Sequence, residues 1–216
     1  GKVILVNIHT GGYAAPSGTE PDFRTAEGNA IAAISTMGIT GYPTGSMNRH
    51  VYQGTAIAMS RGVWAQYATQ TLGQSSYVNV ALQGTLNVTT RVLTVNVEVY
   101  YTGASPVSTN NLTVMLLEND VVGPQTGGTN FNPTQVNPDG TYNHQHMLRK
   151  VLNTSAMGET ISPTTSGTLI QKQYTFTVPA QFVNNAPQLG NLEIAAFVAE
   201  SNTEIISGAY GPITLT

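Results

Sequence analysis

From Ser75 onward the chain alternates apolar and polar residues with a period of two, the signature of half-buried strands. Val78, Val80 and Leu82 open the series. Leu93, Val95, Val97, Val99 and Tyr101 then face one way, while Thr94, Asn96 and Glu98 face the other. Leu112, Val114 and Leu116 repeat the pattern, as do Tyr174, Phe176 and Val178, and then Leu192, Ile194, Ala196 and Val198. Asn137-Pro138-Asp139-Gly140 has proline second and glycine fourth, as a type I turn prefers. About seven or eight such strands, each with one polar face and no helix between them, predict two antiparallel sheets packed face to face. The expected fold is mainly β, an immunoglobulin-like sandwich over 75–216; a closed barrel fits the same alternation.

The first third has a different texture. Val3-Ile4-Leu5-Val6-Asn7-Ile8 is a nearly unbroken aliphatic run, which predicts a strand buried on both faces. Gly11 and Gly12 end it, and Pro16 to Pro21 is a loop. Asp22 or Thr25 can cap a helix reaching about Met37, with Ala26, Ala30, Ile31 and Ile34 as its apolar stripe and Gly38 as its stop. A second helix is expected from about Ser60 to Leu72, packed through Val63, Trp64, Tyr67 and Leu72 and closed by Gly73. Residues 1–74 therefore read as an α/β segment preceding the sandwich.

Composition narrows the function classes. Charged residues make up 9% of the chain, against about 25% in an average soluble domain, so the surface is made polar by Thr, Asn, Ser, Gln and Gly. That suits an exported protein. The net charge of −3, the pI near 5.7 and the scatter of the eight Lys and Arg argue against a nucleic-acid partner. The absence of cysteine excludes disulfides, thiolate metal sites and a cysteine nucleophile, and leans towards a bacterial envelope protein. No stretch has the roughly 20 apolar residues a membrane helix needs. The chain opens directly on a strand-like run, so Gly1 reads as a cloning remnant and any export signal or lipid anchor is expected upstream.

Few motifs carry chemistry. Gly41-Tyr42-Pro43-Thr44, after a helix, a glycine stop and a short apolar step, resembles the cis-proline loop of a thioredoxin fold, and an aromatic-proline bond favours the cis form. Without cysteine, the facing redox pair is missing. His144 and His146 would share one face of a strand and offer two imidazoles to a metal, but no third ligand lies at a recognisable spacing. The simpler expectation is two hydrogen-bonded strand histidines, with Arg149 pairing across strands with Glu118 or Glu98. No serine elbow, phosphate loop or paired catalytic carboxylates can be identified, so no catalytic residue and no cofactor are expected. Trp64 has the helical spacing of a core residue. The neutral loop from about Gly123 to Asp139 has the length and position of a recognition loop, and of a disordered one.

Taken in order, Gly41-Tyr42-Pro43-Thr44-Gly45, Asn48-Arg49, Leu117-Glu118-Asn119 and His144-Gln145-His146-Met147-Leu148-Arg149 resemble the twenty-eight-kilodalton outer-membrane protein family of Bacteroidetes. The resemblance spans nearly the whole chain, and the His-x-His-x-Leu-Arg piece is its most specific element. It implies an exported surface or lipid-anchored protein with a thioredoxin-like part and a β-sandwich part, whose members are described as adhesins or receptors. Family members often carry a cysteine in the first strand–helix unit of the thioredoxin-like part. This chain would begin at that part's third strand, which makes residues 1–74 a partial thioredoxin-like segment.

The expected function is non-catalytic binding at the outer membrane or cell surface, with a host or matrix macromolecule or a glycan as partner. Membrane attachment would come only through an upstream anchor. Val3–Ile8, with its unpaired edge, is expected either to pair with a second copy or to pack on the sandwich. Tyr42, Pro43, Thr44, His144, His146 and Arg149 are the candidate binding or structural residues. Two alternatives follow: an envelope redox or peptide-binding protein whose cysteine-bearing half lies outside this sequence, and a carbohydrate-binding module with a cluster of exposed tyrosines on one sheet.

Overall fold

The computed structural model describes residues 3–216; Gly1 lies outside them. Alternation becomes strands where the sequence predicts them. β3 (Val78–Leu86), β4 (Val92–Tyr101) and β10 (Leu169–Thr177) follow two short strands, β1 (Thr44–Gly45) and β2 (Met59–Ser60). The others are β5 (Asn110–Glu118), β6 (Val121–Gly123), β7 (Tyr142–His144), β8 (Met147–Val151), β9 (Glu159–Ile161), β11 (Leu192–Ala199) and β12 (Ile205–Leu215). The helices are α1 (Ala26–Ala32), α2 (Trp64–Leu72) and the single turn α3 (Gly128–Phe131).

The main sheet runs β10-β4-β3-β12-β11-β5-β8, with β9 also on β5. β12 lies antiparallel to β11 from Ile205 to Pro212, then parallel to β3 over Ile213–Leu215. It thereby passes from one layer to the other. The result is a β10-β4-β3 layer facing a β12-β11-β5-β8 layer, with the last strand bridging both, as in an immunoglobulin-like sandwich. Between them lie Val78, Leu86, Leu93, Val95, Val97, Val99 and Tyr101 from one layer and Leu112, Val114, Leu116, Ile194, Ala196 and Val198 from the other.

The expectation of one polar face per strand holds for β4, whose residues alternate strictly between exposed or half-buried and buried. It fails for β5 and β11. Met115, Leu117, Ala195 and Phe197 point away from the sandwich core and are still buried. They form a second core with Ile31, Met37 and Ile57, flanked by Ile4, Val6, Ile8, Ile34, Ile39 and Val51. Residues 3–74 are thus the covering layer of the β12-β11-β5-β8 sheet.

Val3–Ile8 departs from the expected two-face strand for the same reason. Among the described residues its one ladder contact is a parallel bridge from Asn7 to Met147, made by Asn7 N donating to His146 O at 2.8 Å and Leu148 N donating to Asn7 O at 2.9 Å. With a sheet on one side only, Ile4, Val6 and Ile8 turn inward, while Val3 and Leu5 are 53% and 60% exposed. Among the described residues, 3–74 build no sheet beyond the β1–β2 pair.

α1 begins where Thr25 accepts the Gly28 N–H on its side chain at 2.9 Å. It stops at Ala32, short of the expected Met37. Ile34 turns extended and a 3-10 turn follows over Ser35–Met37, which delivers Ile34 and Met37 to the second core. Gly38 then takes φ +63°, and a Cβ there would meet the Ala56 Cβ at 2.6 Å. A 3-10 turn over Arg61–Val63 leads into α2, where Tyr67 is buried, Trp64 half-buried and Leu72 49% exposed. Trp64 and Leu72 are therefore less enclosed than helical spacing suggested.

Candidate functional site

Arg149 owes its position to a bulge. Leu148 pairs with Leu117 and Lys150 with Leu116, so Arg149 is the extra residue in β8 and its side chain is re-aimed. Its Nε lies 3.0 Å from Glu118 Oε2, both side chains being 2% exposed. The N–H is not directed along that line, so the contact is charge pairing rather than a hydrogen bond. Arg149 Nη2 donates to Asn185 Oδ1 at 2.9 Å, the guanidinium sits 4.5 Å from the Phe182 ring centroid, and Glu118 Oε1 accepts the Gln188 N–H at 2.7 Å. Burial pushes the Glu118 carboxyl up and the Arg149 guanidinium down, and each charge opposes the other's shift. Glu118, not Glu98, is the cross-strand partner.

The two histidines of the motif part company. β7 ends at His144, which is buried, and His146 takes φ +51° in the turn that follows, so the rings do not share a strand face. His144 packs edge-on against His9 at 4.9 Å, Phe23 at 5.2 Å and Tyr142 at 5.0 Å, and its Nε2 donates to Pro124 O at 3.2 Å. Gly123 makes room for this cluster, since a Cβ there would meet Phe23 Cζ at 2.5 Å. His9 is pushed down to about 4, by burial first and then by His144 and Arg149, so it stays neutral at neutral pH. His144 is lowered by burial against the opposing Pro124 hydrogen bond. His146 instead places Nδ1 3.3 Å from Glu193 Oε2, and Tyr210 donates to the other oxygen of that carboxylate. The idea of a metal held by His144 and His146 together loses its geometric basis.

Tyr42–Pro43 is cis, and Thr44 enters β1, donating its hydroxyl to Met59 O at 3.1 Å. Tyr42 is 43% exposed and meets Tyr13, 90% exposed, edge-on at 6.1 Å. No polar group of this loop approaches His144, His146 or Arg149 in a described contact, so the six candidate residues do not form one site.

Sequence reasoning missed two features. The first is a polar cleft of about 550 Å³ where residues 48–75 meet the sandwich, lined by Asn48, His50, Thr71, Tyr77, Glu200 and Glu204 among others. Its charged groups are already engaged: His50 Nδ1 pairs with Glu204 at 2.8 Å, and Tyr77 donates to Glu200 at 3.0 Å. No signal in the sequence brings position 50 to position 204.

The second is the outward face of β10-β4-β3. The register aligns Thr85, Thr94 and Thr175 in one row, and Gln83, Asn96 and Gln173 in the next. Ala81, Glu98 and Gln171 follow, then Asn79, Tyr100 and Leu169. Gln173 Nε2 donates to Asn96 Oδ1 at 2.8 Å and Gln171 Nε2 to Glu98 Oε1 at 2.7 Å. Glu98 is the one charge in these rows. Among the described residues nothing covers the face, and the outer edge of β10 has no partner strand. Its alternation was legible, but its adjacency depends on strand order.

A family model described as outer membrane protein Omp28 matches residues 30–208, through both the covering layer and the sandwich. The chain belongs to the Omp28 outer membrane protein family. This membership places the Omp28-family chain in the cell envelope, with an outer-membrane, surface-associated role. Among solved structures, HBP35 of Porphyromonas gingivalis is similar at 20% identity and a TM-score of 0.66. The alignment covers 85% of this chain and 56% of that one, so this chain spans little more than half of that relative. A domain of the outer membrane lipoprotein Omp28 from the same organism aligns over 66% of this chain and 93% of its own, at 17% identity and a TM-score of 0.44. A β-glucosidase from Listeria innocua aligns at 13% identity over 65% of this chain and 17% of its own, at a TM-score of 0.29. Among curated proteins, no relative matches the chain.

Proposed function

We propose that this Omp28-family protein is a non-catalytic adhesin or receptor of the bacterial surface that holds a macromolecular partner on the outward face of β10-β4-β3. The observation that carries this reading is the asymmetry of the sandwich: one sheet is buried under residues 3–74, and the other presents an open, ordered, nearly uncharged face. A regular sheet face is rigid, so contact with it orders few side chains and loses little entropy. Membrane attachment through a lipid anchor outside this sequence belongs to the same proposal and draws on the lipoprotein nature of the Porphyromonas gingivalis relative.

A glycan partner is the second reading, and the chemistry of the rows favours it. Neutral amides and hydroxyls offer donors and acceptors to a polyhydroxylated chain without a charge to desolvate. The tyrosine cluster once expected of such a module is not on this face, where Tyr100, 45% exposed, is the one aromatic ring in the four rows. The thioredoxin-like redox or peptide-binding alternative finds support in the exposed Tyr13–Tyr42 pair beside Pro43.

The test is an array of matrix proteins and glycans, probed with the wild-type chain and with the double variant Asn96→Lys, Gln173→Lys. Retained partners should be lost from the double variant while its melting temperature is kept. Equal binding by both forms would remove the face from the account. A turnover that a point substitution in the cleft abolishes would replace binding with catalysis.

A further inference from the structure

Arg49 is 5% exposed, and its guanidinium makes no hydrogen bond or ion pair to any described residue; Nη1 is fully enclosed without a partner. The other described cations are accounted for. Arg24 pairs with Asp22, Arg149 with Glu118, Lys150 with Glu27 and Lys172 with Glu159. Arg91 donates to the Val178 and Pro179 carbonyls, and Arg61 lies exposed over Phe131. Arg49 has only the Phe197 ring, 5.2 Å from the guanidinium carbon to its centroid.

The backbone holds the side chain in this place. Asn48 and Arg49 have consecutive left-handed φ values of +50° and +52°, in a turn closed by His50 N donating to Met47 O at 3.0 Å. Ile205 N donates to Asn48 O at 2.7 Å and pins that turn to β12. Glu204, whose N–H donates to Arg49 O at 3.4 Å, turns its carboxylate to His50. A second orphan lies on the same face of the sheet. Thr113 is directly opposite Phe197 across the β5–β11 pair, on the same face, and its buried hydroxyl also lacks a partner. Cross-strand neighbours of this kind have Cβ atoms roughly 5 Å apart.

We infer that Arg49 and Thr113 hold a small monovalent anion, of the size and charge of chloride, over Phe197 in the seam between residues 3–74 and the sandwich. A buried guanidinium needs a counter-charge as well as acceptors, and the hydroxyl of Thr113 can rotate to donate to the same ion. The enclosure selects the occupant. A carboxylate on another macromolecule cannot reach a side chain this deeply covered, whereas a halide needs no tether. Burial alone lowers Arg49, to about 10, with no acid contributing, which agrees with a site whose counter-charge is not part of the chain. The ion would act as a rivet, neutralising the one cation that the covering layer places on β11.

The test uses bromide as the probe. Crystals grown in sodium bromide should show an anomalous peak within hydrogen-bond reach of Arg49 Nη1 and Thr113 Oγ1. In solution, the melting temperature should rise with halide when gluconate is replaced at constant ionic strength. Thr113→Val, close in shape, should keep the fold and raise the halide concentration for half-maximal stabilisation roughly tenfold, the loss of one hydrogen bond to a charge. Arg49→Met should abolish the halide response. A peak-free map with water at Arg49, or equal melting in both salts, overturns the inference, as does a Thr113→Val protein with an unchanged response.

Discussion

Two residues of the His144–Arg149 motif show how a surface-looking sequence becomes interior. Arg149 and Glu118 are both almost fully buried, so their pairing offsets desolvation rather than adding much stability. Removing one partner leaves the other charged and enclosed. Arg149→Met should destabilise the protein by about 3–5 kcal/mol, and Arg149→Met with Glu118→Leu should recover most of that loss. Urea unfolding of the single and double variants measures both. The aromatic cluster carries the pH dependence. His9 sits near 4 when folded and near 6.5 when unfolded, so the unfolded chain takes up its proton first as pH falls. Its contribution is complete above about 6.5 and is lost on the way down to about 4, amounting to at most about 3 kcal/mol. His144, also lowered, pulls in the same direction. His9→Phe should flatten the fall in urea midpoint between pH 7 and pH 4; an unchanged slope would contradict the assignment.

Elements were legible in proportion to how local their causes are. β4 follows from its own alternation, α1 from Thr25, and the Asn137–Gly140 turn from its proline and glycine, with Gly140 N donating to Asn137 O at 2.9 Å. The loop from Gly123 to Asp139 is ordered by longer-range contacts, including a β6–β7 pair and Arg61 over Phe131. β5 and β11 were read as one-sided because Leu112, Val114 and Leu116 stood out. The apolar Met115, Leu117, Ala195 and Phe197 between such residues were the available sign of a second cover. Val3–Ile8 misled for the converse reason: an unbroken aliphatic run does not say which half of it will be buried. Leu117→Ala should therefore cost about 2–5 kcal/mol, as much as Leu116→Ala on the opposite face. A near-neutral Leu117→Ala in thermal or urea unfolding would mean that the outer face is open to solvent. The N-cap is a smaller effect, with Thr25→Ala expected to cost about 1 kcal/mol.

At the scale of the molecule, the two layers of the sandwich have different surroundings. Residues 3–74 turn much of their apolar surface onto the β12-β11-β5-β8 sheet, while Val3 and Leu5 stay exposed. The opposite sheet keeps its amide and hydroxyl rows in the open. Because those rows hold a single charge, Glu98, binding through them should change little between low and physiological salt, in contrast to a charge-steered interface. Envelope location was legible from composition and from the motif order, since both report on the whole chain. The sites were less so, because Tyr42, His146 and Arg149 are positioned by tertiary contacts that no local pattern encodes. Hydroxyl-radical footprinting of the free protein tests the asymmetry on which the functional reading stands. Tyr100 and Leu169 should be oxidised readily, while Met115, Leu117 and Phe197 should be protected until the protein unfolds. Rapid oxidation of Met115 and Phe197 in the native state, or protection of Tyr100 and Leu169, would show that the covered and open faces have been assigned the wrong way round.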